Sequence, residues 1–417
     1  MIKKIALALA CAVTFYSPNA ISQSTDNLEK LGGFKTTGTP MMVPIPQTGE
    51  NADALKAIAA KIKVPEGFKV SLYAIVPDAR HMAVGPQGVV TYVGTRKELA
   101  YTVTDRNKDR VADDVKVLAP SIKMDVPNGM CFSKDGHLFI AERNRVLWMP
   151  AAEFFYEGPD VAAFAIVPQG KLIPVEEESF NHTARTCRVG PDGRIYITLG
   201  QPFNVPAPEK ANLYNEWGLG GIISIKTDGS DRKVYARGMR NPLGLDFNPK
   251  DKTLWVNDNQ VDGMGDKIPP GEMNRVTGPD QNFGFPWYGG GKIRTNEYKD
   301  ATVPEGVIFP QVEQDAHAAD LGLSFYNAKQ FPAKYQGGIF SAQHGSWNRT
   351  DPVGARVLFT SLKEDGTADK TEVFADGWLN ENGEYLGRPM DVQTLNDGSL
   401  LVSDDFAGAI WRISYGE

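Results

Sequence analysis

Pairs of short apolar stretches, joined by a polar turn, recur along most of the chain. In each pair the turn is rich in Pro, Asp, Asn or Gly, and a second apolar stretch follows it, which is the pattern of a β-hairpin. One example is "CRVGPDGRIYITLG", which begins at Cys187. Six copies of the pattern begin at Met82, Gly129, Cys187, Leu245, Leu323 and Met390. The chain is therefore predicted to consist of six similar β units.

The spacing of the six copies predicts a closed ring. The span from Val64 to Glu417, shared among six copies, gives about 59 residues for each. Repeats of short antiparallel strands at such a spacing are typical of a β-propeller. The apolar stretches 67–76 and 408–415 lie outside the copies, and we expect them to meet in one blade and close the ring. The prediction is an all-β, six-bladed propeller of four-stranded antiparallel blades over residues 64–417. A β-sandwich, or two smaller β domains, is the alternative.

The N-terminus has a different character. Two lysines precede an apolar run, and Ala20-Ile21-Ser22 ends the run with a small-x-small site, which is typical of a cleaved signal peptide over residues 1–22. The run is too short for a membrane span. We therefore expect an exported protein, periplasmic in a Gram-negative cell, with lipidation at Cys11 as the alternative. Residues 23–63 are expected to form an extended arm with one short helix.

Charge and cysteine content narrow the function classes. The formal net charge is −7, and it becomes −9 without residues 1–22, which carry two lysines and no acid. An acidic chain without basic runs argues against binding to nucleic acid or to anionic membranes. Cys131 and Cys187 form either one disulfide or two buried thiols. No CxxCH segment is present, so the chain offers no site for covalent haem.

Cations and imidazoles concentrate just before the first strand of each copy. In a propeller that strand lies along the central channel, so the residues before it surround the channel mouth. Such a set suits an anionic ligand beside a proton acceptor. The histidines of this set are candidate proton acceptors, because an ordinary imidazole titrates near neutrality, although a single histidine can also be a structural loop residue. At His182, a neighbouring amide or carboxylate, Asn181 or Glu178, is expected to fix the tautomer. The residues at these positions are Arg80, His81, Asn128, His182, Arg240, Asn241, His317, Asp320 and Arg388.

Six segments resemble the soluble sugar dehydrogenases that depend on pyrroloquinoline quinone (PQQ), and most closely their L-sorbosone dehydrogenase-like branch. The resemblance extends from about residue 65 to the C-terminus. It implies oxidation of an aldose or an aldehyde sugar, PQQ and calcium as cofactors, and a separate electron acceptor, either a quinone or a cytochrome. The segments are "RNPLGLDFNP", "HTARTCRVGPDGRIYITLG", "GDKIPPGEMNRV", "AHAADLGLSFY", "QHGSWNR" and "GRPMDV".

The resemblance also implies roles for single residues. His182 stands eight residues before Gly190 of the "GPDG" turn, as does the family's histidine that takes the hydroxyl proton while hydride moves to PQQ. Arg240 and Asn241 match the pair that holds PQQ, and guanidinium groups suit its three carboxylates. Arg388 fits a further carboxylate contact.

Two further positions depart from the family pattern. Met390 stands where glucose-oxidising members carry a second arginine. Their lysine of the fifth blade has no clear match, and Arg349 is the first substitute, with His344 and Lys363 behind it. The resemblance also implies calcium in the loop that contains Gly265 and Asp266, where the family binds the ion through backbone carbonyls, and hard oxygen ligands suit this ion. A proline-rich surface loop is the alternative.

Several alternatives remain at this point. Asp105, Asn107, Asp109 and Asp113 alternate as in a calcium loop, but they lack its glycine and closing glutamate, so a solvated acidic turn is equally consistent. The aromatic residues Trp287, Tyr288 and Trp347 are expected either to stack on a sugar or quinone or to pack under loops. A propeller that binds a ligand without catalysis and a calcium-dependent lactonase-type hydrolase are the alternative functions.

Overall fold

The computed structural model describes residues 44–156 and 162–416. The predicted signal peptide, and the arm up to residue 43, lie outside the described residues. Within these ranges, 25 strands form six sheets. Each sheet has four main antiparallel strands, and in five of the six they follow one another in chain order.

The strands of the six sheets are as follows. The first blade contains β2 (Met82–Val84), β3 (Val90–Val93), β4 (Tyr101–Thr104) and β5 (Asp114–Val117). The second contains β6 (Gly129–Phe132), β7 (Leu138–Ala141), β8 (Val146–Met149) and β9 (Phe164–Val167). The third contains β10 (Cys187–Val189), β11 (Ile195–Leu199), β12 (Gly221–Ile225) and β13 (Lys233–Arg237), with the short β17 (Gln281–Asn282) added in parallel.

The remaining three sheets complete the ring. The fourth blade contains β14 (Pro242–Phe247), β15 (Leu254–Asp258), β16 (Gly271–Val276) and β18 (Val312–Gln314). The fifth contains β19 (Asp320–Phe325), β20 (Ile339–Gln343), β21 (Arg356–Leu362) and β22 (Ala368–Ala375). The sixth contains β23 (Pro389–Thr394), β24 (Leu400–Asp404), β25 (Ala409–Tyr415) and β1 (Phe68–Ile75).

The first strands of the blades form the inner wall of the ring. Strands β2, β6, β10, β14, β19 and β23 each contact the next in this order, and β23 contacts β2 again. The predicted six-bladed β-propeller is therefore confirmed. The strands at the middle of each blade are buried on both faces, as in β11 and β20, where every residue is buried. This double burial explains why the apolar stretches of the sequence are continuous rather than alternating.

The ring is closed by the two ends of the propeller chain. Strand β1 pairs antiparallel with β25, and Phe68 lies opposite Tyr415. The Phe68 ring also makes edge contacts with Phe331 and Phe374, at centroid distances of 4.7 and 5.0 Å. Aromatic pairs in this arrangement add to the free energy of burial. The expected meeting of stretches 67–76 and 408–415 in one blade is therefore confirmed.

Three α-helices lie outside the sheets among the described residues. They are α1 (Glu50–Ala59), α2 (Ala152–Phe155) and α3 (Ala211–Trp217). Helix α1 lies in the predicted arm and buries Ala52, Leu55 and Ala59 against the core of the fifth and sixth blades. Its acidic first turn, Glu50 and Asp53, suits the positive end of the helix dipole. None of the described helices is long and apolar enough to cross a bilayer.

A disulfide joins the second and third blades. Cys131 of β6 and Cys187 of β10 are both buried and are bonded to each other. Of the two possibilities that the sequence left open, the structure contains the disulfide. The bond lies in the apolar layer between the two blades, next to Phe139 and Ile197.

We expect the aromatic cluster around Phe68 to hold the ring closed. Phe68→Ala should lower the free energy of unfolding by about 3 kcal/mol, because it deletes a ring packed among other aromatic rings. Urea denaturation measures this change. The matched control is Phe154→Ala, whose ring is 76% exposed and which should change stability by less than about 0.5 kcal/mol. Equal stability of both variants would contradict a role of Phe68 in closure.

Candidate active site

A polar cavity of about 510 Å³ opens at one end of the central channel. Residues enter it from two kinds of loop. One kind precedes the first strand of a blade, and the other follows the second strand, because antiparallel neighbours bring these two ends together. The polar and aromatic residues of its wall include Arg80, Arg96, Phe180, Asn181, His182, Asn204, Arg240, Asn241, Asn259, Gln260, Asp262, His317, Asp320, His344, Trp347 and Asn348.

One ring nitrogen of His182 forms a hydrogen bond to the backbone. Its Nδ1 lies 2.5 Å from the carbonyl oxygen of Gln201, and because a carbonyl only accepts, Nδ1 must be the protonated nitrogen. The lone pair is then on Nε2, which no described residue bonds. This backbone carbonyl, and not Asn181 or Glu178, sets the tautomer. The backbone of His182 is left-handed, with φ of 51°, a conformation that histidine tolerates better than most residues.

The environment of His182 keeps its imidazole neutral. Burial, and then the positive charge of Arg240, lower the pKa of His182 to about 4. At neutral pH the ring is therefore an unprotonated base with a free Nε2. This is the state that a general base requires before the reaction begins.

A glycine allows His182 and Asn241 to approach each other. A Cβ at Gly200 would lie 2.5 Å from Asn241 Oδ1 and 2.9 Å from the Cβ of His182. Any other residue at position 200 would push the two apart. Gly200 follows β11 directly, so the end of this strand fixes the spacing of the two side chains.

Arg240 is held rigidly at the wall of the cavity. Its Nε donates to the Asn204 carbonyl at 3.0 Å, and its Nη2 donates to Asp262 Oδ2 at 2.7 Å and to Asn204 Oδ1 at 2.8 Å. The buried carboxylate of Asp258 accepts the backbone N–H groups of Arg240 and Asn241. The predicted Arg-Asn pair is therefore oriented both by its backbone and by its guanidinium group.

Three amide oxygens in the cavity wall have no hydrogen-bond partner among the described residues. They are Asn241 Oδ1, Gln260 Oε1 and Asn348 Oδ1, and all three are buried. The amide nitrogens of Gln260 and Asn348 donate to carboxylates, to Glu272 and to Asp262 respectively, so swapping oxygen and nitrogen would break these bonds. A buried acceptor without a partner is costly. These oxygens therefore suit a ligand that brings hydroxyl groups or a cation.

A second charged group lies behind the cavity wall, where it bonds the lining residues Arg80 and His344. The carboxylate of Asp405 accepts from Arg80 Nη1 and, at 2.7 Å, from His344 Nε2. Burial opposes ionisation of Asp405, but His344 and Arg80 hold its pKa well below the usual range. Arg96 lies near Arg80 and stacks on the Phe180 ring at 5.1 Å. The guanidinium groups of Arg80, Arg96 and Arg240 thus all line one cavity.

Two of the predicted cofactor residues are not among the residues that line the cavity. Arg388 donates to the carbonyls of His344, Gly345 and Ser346, so its guanidinium group supports the wall from behind. Arg349 donates to the carbonyls of Asp351 and Ala316 and lines a separate surface groove. In both cases backbone carbonyls draw the guanidinium group away from the cavity.

The predicted calcium residues lie beside the cavity. Gly265 and Asp266 line an adjoining depression that shares Asp262, His317 and Asn348 with the cavity. His317 Nε2 donates to the Gly265 carbonyl at 2.8 Å. Asp266 Oδ2 accepts the Thr350 N–H at 3.1 Å. Over the two described ranges, no group of three or more His, Cys, Asp or Glu side chains is arranged to hold a metal.

The second calcium-like stretch is an acidic turn that bonds to itself. Asp113 accepts the Arg106 N–H at 2.6 Å, and Asp109 accepts the Val111 N–H at 2.9 Å. Asp105 accepts the Arg110 N–H at 3.2 Å. The carboxylates of this loop therefore order its own backbone.

Sequence reasoning missed the residues that follow the second strands. Arg96 comes shortly after β3, Gln201 after β11, Asp262 after β15 and Asp405 after β24. The signal was present in the hairpin pattern, because the end of the second strand lies beside the start of the first.

Of the expected aromatic residues, Trp347 lines the cavity and is 76% exposed. Trp287 lines a different cavity, and Tyr288 packs against Phe309.

The chain is also similar to known proteins. The family model described as glucose / sorbosone dehydrogenase matches residues 171–412. The aldose sugar dehydrogenase YliI of Escherichia coli strain K12 is 28% identical over 238 residues, which are 53% of this chain and 57% of that protein. The chain thus spans little more than half of the length of this relative.

Solved structures show the same fold at low identity. A calcium structure of a family AA12 carbohydrate-active enzyme from Trichoderma reesei superposes with a TM-score of 0.69 and 16% identity, covering 85% of this chain and 97% of that one. The holo form of the pyranose dehydrogenase PQQ domain from Coprinopsis cinerea gives a TM-score of 0.66 and 17% identity, with the same coverage. The fold is thus the one found in these structures. Because the family model matches more than half of the chain, the protein belongs to the glucose / sorbosone dehydrogenase family.

We expect the His182 ring to titrate far below an ordinary histidine. Its NMR resonances should shift with a midpoint near pH 4 rather than 6.5, because burial and Arg240 disfavour the imidazolium. The unfolded chain takes up this proton at a higher pH than the native chain, so His182 contributes to a loss of stability as the pH falls from about 6.5 to 4. The variant His182→Gln identifies the signal. A midpoint at or above 6.5 would contradict this account of the site.

Proposed function

We propose that the protein is an exported, PQQ-dependent dehydrogenase that oxidises an aldose or an aldehyde sugar of the sorbosone type, with His182 as the general base. The observation that carries the proposal is that His182, Arg240 and Asn241 line one cavity with a neutral imidazole among guanidinium groups. Periplasmic location rests on the predicted signal peptide alone. Transfer of the electrons to a separate acceptor rests on the sequence, which lacks a covalent haem motif.

The donor set of the cavity fits PQQ. Its three carboxylates call for several fixed cations, and Arg80, Arg96 and Arg240 line the same wall. Four of the five N–H groups of Arg240 already have protein partners, so its direction is set and one Nη1 hydrogen is left for a ligand. Asn241 and Arg240 would hold the cofactor directly. Arg388 would act indirectly, by holding the backbone carbonyls to which it donates at the cavity wall.

Oxygen atoms of the kind that calcium prefers lie near Gly265 and Asp266. They are the Gly265 carbonyl, the carboxylates of Asp262 and Asp266, and the unpartnered Asn348 Oδ1. Carboxylate, amide and carbonyl oxygens suit Ca²⁺ better than a transition metal. We propose that calcium binds at this side of the cavity.

The residues of the cavity can perform the proton transfer of an alcohol oxidation. When bound, PQQ supplies the acceptor for the hydride of the sugar C–H bond. His182 accepts the hydroxyl proton at Nε2, while its Nδ1–H stays bound to the Gln201 carbonyl and prevents rotation of the ring. The exposed rings of Trp347 and Phe180 at the mouth offer flat apolar faces on which a sugar ring can stack.

Reconstitution tests the proposal directly. Purified protein with added PQQ and Ca²⁺ is expected to bind PQQ in a spectroscopic titration and to reduce a dye with at least one aldose or aldehyde sugar. His182→Ala should lower kcat by about 100-fold or more while PQQ affinity stays within about twofold, because it removes the base and not the clamp. Absence of PQQ binding and of sugar oxidation would overturn the proposal. Hydrolysis of a lactone without PQQ would favour the hydrolase alternative instead.

Two of the three predicted cofactor-binding arginines should behave differently. Arg240→Gln should weaken PQQ binding by about 10- to 100-fold, which corresponds to the loss of a charged hydrogen bond. Arg349→Gln is the matched control and should leave PQQ affinity unchanged, because its guanidinium group lies outside the cavity. The spectroscopic titration above measures both. Equal losses would show that the cofactor extends to the surface groove of Arg349.

A further inference from the structure

A second cavity, of about 490 Å³, lies next to the first and has a different chemistry. Its wall is largely apolar and contains the aromatic side chains of Tyr214, Phe285, Trp287 and Tyr298, together with Met239. Within the described part of the chain, Arg237 is the only charged residue in this wall, which also contains the amides of Gln201, Asn215 and Asn282. A concave apolar wall with a few polar groups is typical of sites for small flat ligands.

Two chain segments connect this apolar cavity to the histidine cavity. In the segment 201–206, Pro202 and Asn204 line the histidine cavity, whereas Gln201 and Pro206 line the apolar one. In the segment 237–241, Arg237 to Met239 line the apolar cavity, and Arg240 and Asn241 line the other. Tyr298 donates its hydroxyl proton to the Pro206 carbonyl at 2.8 Å and so secures the partition. The Gln201 carbonyl that orients His182 belongs to this thin wall.

An unpartnered donor marks the apolar cavity as a binding site. Arg237 Nε is buried and has no hydrogen-bond partner among the described residues. The guanidinium group contacts Asp280 only through Nη2, at 3.4 Å. A buried N–H without an acceptor costs free energy, which a ligand oxygen in the cavity would recover.

We propose that the apolar cavity binds a substituted benzoquinone, which acts as the electron acceptor of the enzyme. The aromatic walls suit its flat ring, and Arg237 suits one of its carbonyl oxygens. The hydroxyl groups of a sugar would need polar partners around most of the ring, whereas this wall is largely apolar. The role as acceptor rests on the proposed function. Two electrons and two protons would pass from the reduced cofactor to the benzoquinone, whose two carbonyls become hydroxyls while the cofactor returns to its oxidised form.

Calorimetric titration of the protein without PQQ, using ubiquinone with one isoprenoid unit, tests the site. We expect one quinone per chain. Ala211 lines the cavity at the start of α3 and is exposed, so Ala211→Phe should fill the cavity and weaken binding by about tenfold or more. Asn212→Phe, at the exposed neighbouring position outside the lining, is the matched control and should bind as the wild type does.

A second pair of variants tests the donor. Arg237→Gln should weaken quinone binding by about tenfold, the loss of one hydrogen bond, whereas Arg275→Gln removes a comparable arginine of the fourth blade and should have no effect. Arg240→Gln should also leave quinone binding unchanged. Absence of quinone binding would overturn the inference. So would quinone binding that is abolished by Arg240→Gln but kept in Ala211→Phe, because the quinone would then occupy the histidine cavity. The quinone titration needs no PQQ. Its failure would therefore not affect the result of the sugar oxidation assay, and a failure of that assay would not affect the quinone titration.

Discussion

Hydrogen bonds between neighbouring inner strands hold the channel, and with it the site, in place. The inner strand of each blade has one edge that pairs with no other strand. Side chains from a neighbouring blade bond the free backbone groups of this edge. Asp391 accepts the Met82 N–H at 2.8 Å, and His81 Nδ1 accepts the Met130 N–H at 3.0 Å. Burial lowers the pKa of His81 to about 3, so this acceptor lone pair persists at neutral pH. The cavity loops begin one or two residues before these bonded backbone groups, so the positions of the loops depend on the hydrogen bonds.

Positive charge has two effects at the cavity. It provides anchors for an anionic ligand, and it also keeps the imidazole of His182 unprotonated, since Arg240 is the main charge that lowers its pKa after burial. Arg240 itself forms an ion pair with Asp262. Ligand binding and basicity are therefore linked through one guanidinium group.

The fold could be predicted from the sequence, but only part of the site could. Six hairpins at regular spacing define a propeller, and the residues before β10 and β14 fall at its mouth. The orienting group of His182 could not be predicted, because the Gln201 carbonyl is backbone and carries no residue signature. Arg349 turns outward because nearby carbonyls bind it. Cysteine spacing does not reveal the distance between two blades, so the disulfide between Cys131 and Cys187 stayed open until the fold was known.

The pairing of β1 with β25 also constrains how the protein is made. Because the first strand of the propeller completes the last blade, a growing chain carries an unpaired β edge from the synthesis of residue 75 until the ribosome has passed Tyr415. Unpaired edges promote association between chains. Loss of residues 409–415 would leave β1 without its neighbour, so this segment is as necessary for folding as the middle of the propeller.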